Sequence, residues 1–539
     1  MESPPAVPAR LPRQIPFIIA NEGCERFSFY GMRNILVTFL ATSVMMAYLP
    51  AGKREDGARE ILHMFMMGVY FFPLVGGWLA DRFFGKYRTI LWLSLVYCCG
   101  HGLLAISESS EQGFYGGLLL IAIGSGGIKP LVASFVGDQF DQHNKHRAKL
   151  VFDVFYWIIN FGSFFASLIM PRLLADAGPS WAFGIPGVLM LMATVALWSG
   201  RKRYVNVPPA PPDPDSFLRV VWTALTTPAP GRLNLGRYGA LLSIALAIGA
   251  WWLPYKPVVL AALSLVLVLV GICGGAWGQL DRARGHHPDA AVDGVRAVLR
   301  ILIVFALVTP FWSLFDQKAS TWVIQAKYMT KPSWFEPAQM QALNPALVML
   351  IIPFNNLVVY PALARRGVVL GALTKMTIGM ALAGVAYVIV GAMQMAMDGG
   401  SHWAIHVNAA PELIGTVQLQ LEPGRLLAVT WQILPYAFLT MGEVLVSATG
   451  LEFAYSQAPL RMKAVIMAFW SLTTTIGNLW VLMAHETIQR DAVTKAVTDT
   501  GLTPVAFLMF FFALFAFASS FGFRIYARRY QVVDHYRSA

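Results

Sequence analysis

The sequence predicts an all-α, polytopic membrane protein. Of its 539 residues, 56% are hydrophobic and only 13% are charged, whereas about 25% are charged in a typical soluble protein. The apolar residues form long blocks separated by short polar stretches. Such blocks match the length of a helix that crosses the hydrocarbon core of a bilayer. These observations exclude a set of soluble domains, an intrinsically disordered chain and a small disulfide-linked scaffold.

Stretches of roughly 18 or more apolar residues mark fourteen predicted membrane-spanning helices. Several of them exceed about 25 residues and are therefore expected to tilt or to extend beyond the bilayer. In chain order they cover residues 14–46, 57–81, 86–106, 113–138, 149–172, 180–200, 238–254, 257–280, 295–328, 338–361, 368–396, 426–456, 462–488 and 503–528.

The sixth span is followed by a segment of different composition. Residues 201–215 are basic and then rich in proline, which is typical of an exposed, semi-rigid linker. Two apolar helices without acidic residues follow, joined by a short turn at 253–257. The predicted organisation is an N-terminal six-helix bundle (1–200), a linker with a two-helix insert (201–294) and a C-terminal six-helix bundle (295–539). Two such halves are the plan of a large class of secondary transporters.

The basic residues determine the predicted orientation. The net charge is +12, but lysines and arginines occur in short clusters between the spans, so a nucleic-acid-binding surface is not expected. With the N-terminus in the cytoplasm, the cytoplasmic connections carry nearly three times as many lysines and arginines as the opposite ones. The positive-inside rule therefore predicts that both termini are cytoplasmic. The four cysteines all lie in apolar spans, which disfavours a disulfide framework or a zinc site.

The first span contains four ionisable residues, although such residues are costly within a bilayer and are functional candidates by default. Helical spacing places Glu22, Arg26 and Arg33 along one stripe, with Glu25 beside it. One interpretation is an internal ion pair that neutralises itself at the start of the helix. Such a pair needs only one acid, however. The second acid on the same turn favours a group that exchanges protons, because two neighbouring carboxylates do not readily ionise together.

Three further spans carry charged residues. These are Lys129 in the fourth span, Asp316 and Lys318 in the ninth, and Glu443 in the twelfth. Cations are thus concentrated in the first half of the chain, and the isolated acids lie in the second half. We expect this segregation to suit a zwitterionic ligand whose carboxylate and amine face opposite halves.

Four stretches of the chain resemble a known family. Residues 76–89 (GGWLADRFFGKYRT) are similar to the signature loop of the major facilitator superfamily. GCERFSFYG resembles the ExxERFxYYG motif of the proton-dependent oligopeptide transporters, the POT or PTR family. Residues 155–163 and 442–452 are similar to its FYxxINxGS and GExxxSPxGLE stretches. The resemblance implies the major facilitator fold, with twelve core helices in two bundles plus the two extra helices of bacterial members.

The resemblance also implies roles for individual residues. The carboxylate of a bound peptide would be held by Arg26 and Lys129. Its amino terminus would be held by Glu443, Asn160 and Asn344. The pockets for its side chains would be lined by Tyr30, Tyr70, Trp312 and Trp470. Proton coupling would involve Glu22, Glu25 and Asp316. These assignments suit the chemistry, because the planar guanidinium of arginine matches a carboxylate and aromatic walls accept varied side chains.

Three residues depart from the family pattern. Asp316 stands where many members have glutamate, Phe29 replaces a tyrosine, and Ala448 replaces a proline. None of these changes removes a charge, so they bear on substrate preference rather than on the class of protein. His63 lies seven residues before Tyr70, the spacing of a proton-coupling histidine in animal members. Because histidine titrates near neutral pH, His63 is a further candidate for proton coupling, with a structural role as the alternative.

The predicted function is proton-coupled symport of di- and tripeptides by alternating access, with peptide-like drugs as further candidate substrates. Protons are the coupling ion, and no cofactor, metal or nucleic acid is expected. The chain is predicted to act as a monomer in the lipid bilayer of a bacterial inner membrane. One alternative is another proton-driven carrier of the same superfamily, such as a drug exporter or a nitrate-type anion carrier. A membrane-embedded enzyme is disfavoured, because the sequence contains no HExxH, GxSxG or P-loop motif.

Overall fold

The computed structural model describes residues 12–50, 53–140, 148–209, 211, 213–228, 233–407, 427–457 and 462–530. In these ranges the chain forms helices joined by turns, and the only β-type pairings there are two isolated bridges. The chain divides into two units, Met1–Pro212 with Gln341–Met349 and Asp213–Met340 with Leu350–Ala539. The predicted all-α class is confirmed.

Six long helices form most of the first unit. A π turn, Ala80–Phe84, extends the second of them. The third follows Gly85, whose φ of 74° is a conformation that glycine adopts at little cost. The helices are α1 (Ile15–Thr42), α2 (Arg54–Leu79), α3 (Lys86–Ile106), α4 (Glu111–Asp138), α5 (Ala148–Ala177) and α6 (Pro179–Ser199).

The glycines of α4 allow three helices to approach one another closely. A Cβ atom added at Gly126 would lie 2.5 Å from the carbonyl oxygen of Val69 in α2. One added at Gly124 would lie 2.6 Å from the Cβ atom of Tyr97 in α3. Small residues are used in this way at the interfaces of membrane helices. The close packing of α4 holds the polar residues of its central turns near those of α1 and α2.

The second unit contains the remaining helices. Those before residue 350 are α7 (Phe217–Thr226), α8 (Leu235–Gly249), α9 (Pro257–Gln279), α10 (Asp289–Asp316), α11 (Thr321–Lys327) and α12 (Leu343–Phe354), the last of which begins within the Gln341–Met349 stretch of the first unit. Those that follow are α13 (Tyr360–Arg365), α14 (Ala372–Val407), α15 (Ile433–Glu443), α16 (Thr449–Gln457), α17 (Lys463–Ile488), α18 (Asp491–Thr498) and α19 (Pro504–Arg529). Two π turns, Asn355–Val359 and Val444–Ala448, join α12 to α13 and α15 to α16.

Each of the fourteen predicted spans corresponds to a helical segment. Thirteen segments of the described ranges are long and apolar enough to cross a membrane, and the more highly charged α1 corresponds to the other predicted span. The short helices α7 and α18, with 10 and 8 residues, were not predicted because they are shorter than a membrane-spanning segment. The eleventh predicted span, 368–396, agrees with the apolar segment Ala372–Gly399. The helix that contains it, α14, continues to Val407.

The ninth predicted span is not one continuous helix. α10 ends at Asp316, a 3₁₀ turn covers Gln317–Ala319, and α11 begins at Thr321. The break therefore falls beside one of the charged residues that the sequence marked as functional. Irregular backbone at the depth of a membrane is tolerated only where protein or a water-filled cavity surrounds it.

The two-helix insert, α8 and α9, is fastened to its own unit at both ends. Near the turn between the two helices, the hydroxyl groups of Tyr255 and Thr487 lie 2.9 Å apart within hydrogen-bonding distance. At the opposite end, Gln279 Nε2 donates a hydrogen bond to the carbonyl oxygen of Ala224 in α7 (2.8 Å). The insert is therefore attached to α17 at one end and to the short amphipathic helix α7 at the other.

Candidate functional site

The first unit contains a buried ion-pair cluster on α1. Arg26 Nε donates a hydrogen bond to Glu22 Oε1 at 2.6 Å and lies 2.9 Å from Glu25 Oε2. Both carboxylates are 1% exposed and the arginine is 7% exposed. One guanidinium thus serves two acids on adjacent turns of one helix. Because buried charges are stable only when they are paired and hydrogen-bonded, this arrangement explains how α1 accommodates its ionisable residues.

Helix α4 adds a second cation to this cluster. Its Ser125 hydroxyl donates to Glu25 Oε1 at 3.5 Å, and Lys129 follows one turn later. The Lys129 ammonium nitrogen lies 3.9 Å from the centre of the Phe29 ring and 4.6 Å from that of Tyr70. These distances are typical of cation–π contacts. With both acids ionised, the two glutamates and the two cations sum to zero charge.

The structure places the other predicted residues of the first unit as follows. The Tyr30 ring packs edge-on against Phe29 with ring centres 5.4 Å apart, so it lies beside the lysine contact. His63 on α2 is 1% exposed. Asn160 on α5 donates from Nδ2 to the carbonyl oxygen of Tyr156, 3.0 Å away in its own helix. Asn344 is half-buried at the start of α12.

In the second unit, Asp316 is buried at the break between α10 and α11. It is 2% exposed, and its Oδ2 accepts a hydrogen bond from Asn478 Nδ2 of α17 at 2.8 Å. The Lys318 ammonium nitrogen lies 3.2 Å from the centre of the Phe315 ring. A buried carboxylate is therefore fixed to a neighbouring helix where α10 ends.

The two predicted tryptophans lie next to each other. The ring centres of Trp312 and Trp470 are 6.1 Å apart, and the ring planes are nearly perpendicular at 83°. Glycine makes room for both rings: a Cβ atom at Gly477 would lie 2.7 Å from Trp312 Cβ, and one at Gly450 would collide with the Trp470 ring. The structure therefore brings Trp312, Trp470 and Asp316 together around α10 and α17.

Glu443 is the last residue of α15 and is half-buried. The π turn Val444–Ala448 begins directly after it. A Cβ atom at Gly442 would lie 2.6 Å from the carbonyl oxygen of Gly379, so α15 crosses α14 backbone against backbone at this level. The π turn also covers Ala448, which replaces the usual proline. A local distortion of the helix is therefore present there without the proline.

Several residues of these clusters were not assigned a role from the sequence. Asn478 is a polar residue in an apolar span, eight residues after Trp470 and hence on the same helix face. Ser125 lies one turn before Lys129, on the same face of α4. Helical spacing relative to a known site residue could have identified both. The contact between Phe29 and Lys129 joins two different helices, so no spacing rule indicates it.

Metal-binding arrangements are not found among the described side chains. No group of three or more His, Cys, Asp or Glu residues is placed to hold a metal ion within the part of the chain that the structure describes. The four cysteines, Cys24, Cys98, Cys99 and Cys273, are all free thiols. The buried polar groups described above are ion pairs, amides and hydroxyls.

Comparison with known proteins identifies a family of membrane proteins, in agreement with the buried ion pairs on membrane-spanning helices. A profile of the POT family matches residues 87–500 of this chain. The chain belongs to the POT family. Solute carrier family 15 member 2 from Mus musculus is 32% identical over 432 residues, which cover 77% of this chain and 53% of that protein. Peptide transporter family 1 from Drosophila melanogaster is 33% identical over 420 residues, which cover 75% and 50%. The chain thus spans about half the length of the curated relatives that it matches.

Two solved structures align with almost the whole of this chain. An auto-inhibited POT family peptide transporter is 60% identical with a TM-score of 0.91, and the alignment covers 98% of this chain and 99% of that one. The POT family transporter PepTSo is 57% identical with a TM-score of 0.91, covering 98% and 100%. These likenesses confirm the resemblance stated from the motifs and the predicted major facilitator fold. The POT family is one of membrane transporters rather than enzymes, and this chain is an integral membrane protein.

Proposed function

We propose that this POT family member is a proton-coupled symporter that imports di- and tripeptides by alternating access. The observation that carries the proposal is the buried cluster in which Arg26 contacts both Glu22 and Glu25, with Lys129 close by. A permanent structural ion pair needs one acid and one base. The second acid and the second base provide a group whose pairing changes when a proton binds.

Arg26 and Lys129 are proposed to bind the carboxylate of the peptide. Arg26 is held by two glutamates at 2.6 and 2.9 Å. Protonation of either glutamate weakens that hold, because a neutral carboxyl group attracts a guanidinium far less than a carboxylate does. Arg26 can then bind the substrate carboxylate through its planar fork of donors. Proton binding and substrate binding thereby favour each other.

The opposite end of the peptide is proposed to be bound by Glu443, with the amides of Asn160 and Asn344 as further partners. A half-buried carboxylate is a suitable partner for the ammonium group of a peptide. The aromatic side chains Tyr30, Tyr70, Trp312 and Trp470 are proposed to line the side-chain pockets. Their broad apolar faces fix no hydrogen-bond pattern, so peptides of many sequences can be accepted.

Proton transfer is proposed to use Glu22, Glu25 and Asp316, with His63 as a further participant. The hydrogen bond from Asn478 to Asp316 at 2.8 Å supports this role, because the carboxylate is held on α17 while it is charged. A proton on Asp316 would weaken that bond and free the end of α10 from α17. Release of the proton inside the cell would restore both this contact and the cluster on α1, returning the empty carrier to its resting state.

The remaining features of the proposal concern the chain as a whole. We propose two bundles, 1–200 and 295–539, that move during transport, with the 201–294 segment as an addition between them. The lysine and arginine distribution supports cytoplasmic termini in a bacterial inner membrane. Protons are the coupling ion, peptide-like drugs are further candidate substrates, no cofactor takes part, and the functional unit is a monomer.

Uptake by purified protein in liposomes tests this function. Radiolabelled dipeptide should accumulate when the outside is acidic and the inside negative. Unlabelled di- and tripeptides should compete, whereas single amino acids and tetrapeptides should not. Uptake that is unaffected by an imposed pH gradient and membrane potential would refute proton coupling. Competition by nitrate or a lipophilic drug, but not by dipeptides, would indicate another carrier of the same superfamily.

The matched variants are Glu443→Gln and Glu111→Gln. Both remove one carboxylate charge, but Glu111 is exposed at the start of α4. Glu443→Gln should weaken dipeptide binding and uptake, whereas Glu111→Gln should resemble the parent protein. Unchanged dipeptide binding by Glu443→Gln would refute the assignment of the amine site while leaving the transport proposal intact.

A further inference from the structure

A cavity of about 330 Å³ opens in the second unit between α9, α10 and α19. It is distinct from the residues proposed to bind peptide or protons, none of which lines it. Its walls are formed by two arginines, three aromatic side chains and one isoleucine. These residues are Trp277, Arg300, Ile303, Tyr526, Arg529 and Tyr530.

The two arginines give the cavity a positive charge. Arg300 and Arg529 are exposed, and neither forms an ion pair with a carboxylate in the described ranges. By contrast, Arg284, in the connection before α10, contacts three aspartates at 2.6–2.9 Å. The structure therefore leaves two guanidinium groups at one opening without an acidic partner among the described residues. Guanidinium groups bind phosphate and carboxylate groups well, because their fork of donors matches these anions.

The cavity lies where the helices leave the apolar part of the membrane. Arg300 is the last charged residue of α10 before the apolar run 301–308, and Arg529 ends α19 after the apolar run 504–523. Tryptophan and tyrosine are typical of this interface. The positive-inside rule assigns these helix ends to the cytoplasmic side, so the leaflet named below rests on the proposed orientation.

Contacts between helices fix the walls of the cavity. The Tyr526 hydroxyl donates a hydrogen bond to the carbonyl oxygen of Arg300 at 3.1 Å, which joins α19 to α10. The Tyr530 ring packs edge-on against Tyr526 at 5.9 Å and against Phe453 of α16 at 5.5 Å. The site is therefore built from three packed helices and is supported by a fourth.

One side of the cavity is apolar and open. Trp277 is 44% exposed and Ile303 is 39% exposed, and Trp277 lies on α9, an apolar helix of which only a small part is buried within the protein. A soluble phosphate would use the arginines but would gain nothing from these two side chains. A molecule with an anionic head and an apolar chain would contact both. This combination is typical of basic sites for anionic lipids between membrane helices.

We propose that this cavity binds the phosphate headgroup of an anionic phospholipid from the cytoplasmic leaflet. Arg300 and Arg529 contact the phosphate, Tyr530 provides a hydroxyl donor, and an acyl chain lies along Trp277 and Ile303. The lipid would bridge α9 of the insert to α10 and α19. The insert would then complete a lipid site that the core helices alone would leave open on one side.

Native mass spectrometry of the full chain, released from vesicles of equal phosphatidylglycerol and phosphatidylethanolamine, tests the proposal. The parent protein should retain phosphatidylglycerol in preference to phosphatidylethanolamine. Removing both charges in Arg300→Gln/Arg529→Gln should reduce this preference by about 30-fold, and each single variant should reduce it by about 5-fold. The matched control Arg366→Gln, which removes an exposed arginine after α13, should retain the preference of the parent protein.

Three results would overturn the proposal. The first is equal retention of phosphatidylglycerol by the parent and by the double variant. The second is no preference between the two lipids in the parent. The third is full displacement of the lipid by millimolar inorganic phosphate, which would indicate a soluble-anion site. Should the double variant fail to elute as a folded monodisperse species, the two single variants and the parent comparison decide the question. Dipeptide uptake is measured in parallel, so failure of the transport proposal is distinguishable from failure of this one.

Discussion

Replacement of Phe29 by leucine should weaken peptide transport through its effect on Lys129. The Phe29 ring is 1% exposed, so it does not itself form an accessible binding surface. Its ring centre lies 3.9 Å from the Lys129 ammonium nitrogen. Leucine keeps most of the apolar volume but has no π face. The variant therefore removes one of the two aromatic contacts that hold the lysine and leaves the second, from Tyr70.

The size of the effect follows from the burial of this contact. Cation–π contacts contribute about 0.5–1 kcal/mol at exposed positions and about 2 kcal/mol when they are removed from water. The Phe29 contact belongs to the second class, so Phe29→Leu should raise the apparent KM for a dipeptide by roughly 10- to 30-fold. Phe29→Tyr retains the ring face and should remain within about threefold of the parent protein.

The assay is dipeptide counterflow in liposomes without a proton gradient, which separates substrate binding from coupling. A second buried phenylalanine of the same unit, Phe135 at 1% exposed, provides the control for lost packing, and Phe135→Leu should change the melting temperature but not KM. In a Lys129→Gln background, Phe29→Leu should have little further effect, because the two residues act through one contact. Full additivity of the two substitutions would refute the reasoning.

Three further predictions concern the second unit. Asn478→Leu removes the hydrogen bond to Asp316 and should lower the free energy of unfolding by about 1.5–3 kcal/mol. Dipeptide uptake should also fall. An unchanged melting temperature in detergent would contradict this prediction. Gly379→Ala places a methyl group 2.7 Å from a carbonyl oxygen of α15 and should lower the free energy of unfolding by about 1–3 kcal/mol. The control Gly399→Ala, on the same helix, meets no atom within 4 Å and should leave the melting temperature unchanged. Tyr255→Phe removes the hydroxyl contact between the insert and α17 and should lower stability by about 1 kcal/mol without changing the dipeptide KM, which counterflow measures; a raised KM would contradict a purely structural role.

The positions of the long helices could be predicted because lipid imposes one simple requirement on them. A segment such as 368–396 must be predominantly apolar, and this property is visible in the sequence without knowledge of any contact. The same rule does not detect α7 or α18, which are too short to cross a bilayer. It also does not detect the break after Asp316, because the polar stretch 316–320 is too short to end an apolar span. The π turns at 355–359 and 444–448 depend on packing and cannot be detected from the hydropathy of the sequence.

The candidate site was predictable to the extent that its residues share a helix. Glu22, Glu25 and Arg26 lie on adjacent turns of α1, so spacing alone indicated that they interact. The hydrogen bond between Asp316 and Asn478 joins residues 162 positions apart. It depends on how α10 packs against α17. Phe29 was noticed only as a departure from a motif, and its ring contact with Lys129 became visible only in three dimensions.

The electrically balanced cluster on α1 and α4 has a consequence for the currents that the carrier would produce. With Glu22 and Glu25 ionised, their charges cancel those of Arg26 and Lys129, and a zwitterionic dipeptide adds no net charge. Each proton taken up by the cluster then makes it positive by one elementary charge. Under the proposed cycle, inward movement of the loaded cluster carries current and responds to voltage by about 2.3 kcal/mol per 100 mV per charge. The return of the empty cluster is electrically silent.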